Sequence, residues 1–137
     1  MCYWVPMPSH KLTKITLTIP TEQRNWLKLK EYEAAIRSYT KALELNSNET
    51  AALWDLGLLY YNDLNDYVSA ASNFERQTKI DPANLEAWKV LGRSYHMQNQ
   101  YDKAIASFDK ILEIDPTNEN ALYWRGESIR QKESKKS

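Results

Sequence analysis

The strongest constraint on this chain is a pattern that recurs every 34 or 35 residues. Leu91, Gly92, Tyr95, Tyr101, Ala104, Phe108 and Pro116 have counterparts one period earlier in Leu56, Gly57, Tyr60, Tyr67, Ala70, Phe74 and Pro82. Half a unit earlier again stand Tyr32, Ala35 and Tyr39, with Ser47 in the proline's place, and Gly126 follows Gly92 by 34 residues. Self-similarity of this length marks an array of helical hairpins, in which each unit buries its apolar face against the next.

Within each unit the apolar residues recur at helical spacing, and Asp81-Pro82 and Asp115-Pro116 end a helix, since proline cannot continue one. Helices are thus predicted near 21–30, 32–45, 50–62, 67–80, 84–98, 101–114 and 118–131. Gly57 and Gly92 fall inside helices, where glycine costs about 0.5–1 kcal/mol relative to alanine. Close approach of the paired helix accounts for them, with Ala35, Ala70 and Ala104 as the small residues opposite and the tyrosines and phenylalanines filling the space between hairpins. The middle unit carries one extra residue, placed by the spacing in the turn around Asp63–Asp66. The domain plan is an irregular arm over 1–20, repeats over 21–48, 49–83 and 84–117, a capping helix over 118–131 and a polar tail over 132–137. The alternating run Ile15–Ile19 in the arm has a strand-like period.

Composition narrows the function. Eighteen basic and eighteen acidic residues leave no net charge, which does not favour a nucleic-acid or anionic-membrane binder. The single cysteine, Cys2, rules out an internal disulfide. No apolar run approaches the ~20 residues of a membrane span, so a cytoplasmic location is expected. His10, His96 and Cys2 show no metal-ligand spacing. There is no phosphate-binding glycine loop, calcium loop or nucleophile elbow, and neither enzyme activity nor a cofactor is expected.

The segment WKVLGRSYHMQNQYDKAIASFDKILEIDPTN resembles a tetratricopeptide repeat at nearly every signature position, and the likeness extends over about residues 21–131. The middle unit has Leu53 where the family has tryptophan and Gln77 where a small residue is usual, and the first unit has Gln23 in place of the glycine. The resemblance implies an all-α fold: a right-handed superhelical array of antiparallel helical hairpins, about three repeats plus a C-terminal capping helix. It also implies a concave face lined by the first helix of each hairpin. The face opposite the glycine stripe selects Trp54, Asp55, Leu58, Tyr61 and Asn62 in the middle unit and Lys89, Val90, Arg93, His96 and Met97 in the third. The last helix adds Asn120, Tyr123, Trp124 and Glu127, and the first adds Arg24, Leu27 and Lys28.

Trp54, Tyr61, Tyr123 and Trp124 are aromatic where the repeat does not require it, and aromatic anchors dominate interfaces. Lys89 and Arg93, four apart on one helix face, suit a carboxylate or an acidic segment; the alternative is that they pair with Glu86 and Glu127 on the surface. Some family members clamp acidic chaperone C-termini with lysines, asparagines and an arginine. Here Asp55, Glu86 and Val90 stand at those positions, so a chaperone-tail clamp is disfavoured. The expected role is a protein-interaction scaffold that holds an extended peptide or helix of a partner. The alternatives are a self-associating structural module and, against the neutral charge, an RNA-binding repeat.

Overall fold

A computed structural model of the chain describes residues 21–136, so the strand-like run at 15–19, Cys2 and His10 lie outside the described residues. Among the described residues there are six α-helices, one π-helical segment and no strand. The chain divides into a leading unit ending at Ala35 and a second unit from Ile36 onward.

The first helix, α1, spans Thr21–Leu45 without interruption, where two helices with a break near residue 30 were expected. The reason lies in the residues at that point. Asn65 and Asn99, each two positions before a helix-starting tyrosine, adopt left-handed backbone with φ of 51° and 62°. That conformation costs most residues about 1–2 kcal/mol but comes readily to asparagine. Two positions before Tyr32 stands Lys30, flanked by Leu29 and Glu31, all good helix formers. Nothing there turns the chain. In the leading unit Trp26, Leu27 and Leu29 are exposed, and the Lys30 ammonium lies 5.5 Å from the Trp26 ring centroid.

From Ile36 the array proper follows. After the end of α1 come α2 (Thr50–Leu58) and a π-helical segment (Leu59–Asp63). Then follow α3 (Tyr67–Ile80), α4 (Leu85–Met97), α5 (Tyr101–Ile114) and α6 (Glu119–Lys136). From α2 onward each helix packs on the next in sequence, and α4 also touches α6. The helix starts repeat as the period requires. Asn84 Oδ1 accepts the Ala87 amide at 3.2 Å, and Asn118 Oδ1 accepts the Ala121 amide at 3.0 Å, each satisfying one of the helix's free donors. Asp66 does the same for Ser69 at 3.1 Å.

The extra residue of the middle unit is not in the turn. Tyr60 and Tyr95 are 35 apart, whereas Asn65 and Asn99 are 34 apart, which places the insertion between Tyr60 and Asn65. The helix absorbs it as a wider turn: the Leu64 amide reaches the Leu59 carbonyl at 3.2 Å and the Asp66 amide the Tyr60 carbonyl at 2.8 Å.

The main core joins Ala70, Phe74, Leu91, Tyr95, Ala104, Phe108, Ile111 and Ala121, and a smaller cluster joins Leu43 to Ala52, Leu53 and Leu56. Phe74 and Phe108 are completely buried. A Cβ added to Gly57 would come within 2.6 Å of the Phe74 ring, and one added to Gly92 within 2.7 Å of the Phe108 ring. Gly126, at the same position of α6, has nothing within 4 Å.

These contacts separate two glycines that look equivalent. Gly92→Ala forces the Phe108 ring aside at an overpacking cost of about 1–3 kcal/mol, more than the ~1 kcal/mol gained in helix propensity, and should lower the melting temperature. Gly126→Ala meets no such obstacle and should stabilise dilute protein by about 0.5–1 kcal/mol. Thermal unfolding followed by circular dichroism compares the two; equal stabilities would remove the steric account.

Candidate functional site

Three helices that begin successive repeats bring side chains together around Arg93. From α4, its guanidinium carbon lies 5.6 Å from the centroid of Tyr61, on the π-helical segment, and 4.9 Å from that of Trp124, on α6. Rings at this distance attract the cation, by up to about 2 kcal/mol where water is excluded. Among the described residues no carboxylate pairs with Arg93, and its buried Nε has no hydrogen-bond partner. A buried donor left in this state carries a cost of about 1–3 kcal/mol, more when charged.

The aromatic cluster continues from Trp124. Tyr123 meets it edge-on at 5.4 Å between centroids, and His96 at 5.3 Å. His96 also lies edge-on to Tyr101 at 5.4 Å, and its Nδ1 is 2.9 Å from Ser128 Oγ. Tyr61 in turn packs against Tyr67 at 5.3 Å. Two groups feel these surroundings. Burial raises the Tyr61 hydroxyl above its usual range, with the Arg93 charge opposing. Burial lowers His96 below its ordinary 6.5, with Glu127 opposing, so the imidazole is held neutral.

The structure sorts the residues nominated from sequence. Tyr61, Arg93, His96, Tyr123 and Trp124 come together. Glu127 acts electrostatically on His96, while its carboxylate is engaged by Arg130 and, at 3.3 Å, by Gln131. Arg130 is thus the cation it pairs with, not Arg93. Lys89 is paired with Glu86 at 2.7 Å, as the surface alternative had it. Asp55 and Asn62 are exposed, as are Met97 and Asn120. Trp54, Leu58, Tyr61 and Trp124 are half-buried and pack on the main core, with Trp54 edge-on to Phe74 at 5.7 Å, so these side chains also serve the fold.

Val90 is a correction. The helix-face pattern puts it on the open side, but it is 7% exposed and belongs to the core cluster of Phe74 and Leu91, where burial of its apolar side chain is favoured. Arg24, Leu27 and Lys28 lie in the leading unit and are exposed. Ser128 was missed. It is fully buried and stands 34 residues after the equally buried Ser94, so the period itself carried the signal.

A "Tetratricopeptide repeat" family model matches residues 85–118, and a "TPR repeat" model matches residues 27–63. The chain belongs to the tetratricopeptide repeat family. Comparison with curated proteins found no match. Among solved structures the chain is similar to MamA, at 22% identity and a TM-score of 0.67, over 82% of this chain and 64% of that one. It is also similar to the Sgt2 TPR domain from Aspergillus fumigatus, at 24% identity and a TM-score of 0.64, over 85% and 78% of the two chains. A third is the first TPR of Spaghetti (RPAP3) bound to HSP90 peptide SRMEEVD, at 18% identity and a TM-score of 0.62, over 88% and 93%. At these identities the likeness carries the fold. Among the described residues of this tetratricopeptide chain, no helix is long and apolar enough to cross a membrane.

The depressed His96 makes stability depend on pH with a definite sign. The unfolded chain takes up the proton near the ordinary 6.5, before the folded one does, so folding weakens as pH falls through and below that value. The melting temperature should drop on acidification from pH 8 toward pH 5, and His96→Gln should flatten part of that slope. An unchanged slope in the variant would show that His96 is not responsible.

Proposed function

We propose that this chain is a protein-interaction module that binds an extended segment of a partner, bearing a carboxylate, across the first helices of its repeats. The observation that carries the proposal is Arg93: a cation set among rings from two neighbouring repeats, with a buried Nε that has no acceptor. A carboxylate from an incoming segment supplies the missing counter-charge by a charge-assisted pairing with the half-buried guanidinium. Tyr123, which is 63% exposed, and the half-buried Trp124 offer apolar surface beside it for the rest of the segment. Being seated on the core, Tyr61, Trp54 and Trp124 are already ordered, so little side-chain entropy is lost on binding.

The partner is distinguished by chemistry. An acidic side chain or a free C-terminus near an aromatic or aliphatic residue fits; a long run of acids does not, since Lys89 is already occupied by Glu86. The SRMEEVD peptide of the similar Spaghetti structure belongs to that protein. Here Asp55, Glu86 and Val90 stand where the chaperone clamp has its polar ligands, which speaks against the same mode.

A peptide array varying acidic content, with C-termini free or amidated, tests this when read by anisotropy and tryptophan fluorescence. Carboxylate-bearing peptides should bind in a salt-sensitive manner, and Arg93→Ala should weaken the best of them at least about tenfold, the equivalent of ~1.4 kcal/mol. Arg93→Ala with unchanged affinity and an intact circular dichroism spectrum would refute the assignment of Arg93 to the site.

A further inference from the structure

The chain contains three glycines, Gly57, Gly92 and Gly126, all at the same position of a repeat's first helix. It also contains three aromatic residues at the facing position of a second helix: Tyr39, Phe74 and Phe108, spaced by 35 and 34 residues. Among the described residues only two glycine–aromatic pairs form, Gly57 with Phe74 and Gly92 with Phe108. The pairing is staggered by one, which leaves Tyr39 without a glycine and Gly126 without a ring.

Both unmatched residues lie on accessible surface. Gly126 is exposed with nothing within 4 Å of the position a Cβ would take. On the same face of α6 stand Leu122, half exposed, and Ile129, half-buried; their counterparts on α4 are Trp88 and Tyr95, which pack onto the core. The one polar departure, Arg125 in place of Leu91, is drawn aside by Asp109 of α5 at 2.6 Å. At the other end, Tyr39 and Ala42 pack on the smaller cluster and remain half-buried, whereas Phe74 and Phe108 are sealed. The residues before Tyr32, where a complete repeat would have its own first helix, continue α1 instead.

We infer that a second copy of this chain covers the Gly126 face of α6 with the Tyr39 face of its α1, so that copies join end to end. The contact reproduces the one the fold already makes twice: an aromatic ring laid over a helix whose backbone a glycine leaves bare. Its two halves lie on different parts of the molecule. Used head to tail, such a contact is heterologous and propagates from copy to copy. The Arg93 cluster plays no part in it, so this inference stands or falls independently of the proposed partner site.

Sedimentation velocity over a range from micromolar to millimolar protein reads the outcome. The wild-type chain should show a concentration-dependent series of species, and Gly126→Leu, which fills the notch, should raise the apparent dissociation constant at least about tenfold. In a Cys2→Ser background, chains carrying Tyr39→Cys mixed with chains carrying Gly126→Cys should be joined by a short bismaleimide, while neither variant alone is. A monomer at every concentration overturns the inference, leaving the α6 face to some other helix. So does a Gly126→Leu variant that assembles like wild type, and so does cross-linking of like with like, which would mark a symmetric dimer.

Discussion

The contact between a bare helix backbone and a phenylalanine ring sets the scale for the rest of this structure. At Gly57 and Gly92 a single methyl group would collide with the ring opposite, so the two helices of a hairpin approach as closely as a glycine permits. The glycine weakens its own helix, and the complete burial of Phe74 and Phe108 offsets that cost. Two such pairs, one in each hairpin, set how closely the two helices of each hairpin approach. With hairpins of the same build stacked in sequence, Tyr61, Arg93 and Trp124, one from each of three successive units, come within reach of one another.

The Arg93 cluster illustrates how a repeat array builds a recognition surface without loops devoted to it. Val90 lies one turn from Arg93 on the same helix and is buried in the core, while the aromatic side chains around the guanidinium rest partly on that core and partly in the open. Such residues have little freedom left to lose on binding a ligand. The cation is held by rings and by the Tyr61 hydroxyl and not by carboxylates, which leaves its charge without an acidic partner. A carboxylate at that position would have neutralised it, as Glu86 does for Lys89.

Much of the fold is legible in the residues because the period forces equivalent positions into equivalent surroundings. The starts of α4 and α6 at Asn84 and Asn118, the stops at Asp81 and Asp115, and the packing glycines all follow from that rule. Readings that failed did so where one residue outweighed the pattern. Lys30, in place of a left-handed asparagine, leaves α1 unbroken, and the extra residue of the middle unit is taken up by a π-helical turn while the left-handed asparagine after it is kept. Ser128 was legible through its match to Ser94. The burial of Val90 was not, since a helix-face assignment records direction and not how the neighbouring helices pack against that face.

The sequence by itself determined that this chain forms helical hairpins in register, because spacing, glycine and proline act locally and repeat with the period. It also determined which residues belong to the packing stripe. Only the tertiary structure decided which of the remaining residues converge. Tyr61, Arg93 and Trp124 are separated by 32 and 31 residues, and whether a cation meets two rings or a neighbouring acid depends on side-chain reach across hairpins. Tertiary structure likewise decided that Gly126 lacks the ring its two counterparts possess. A glycine's place in the sequence shows where a close contact can form, and only packing shows whether another helix fills it.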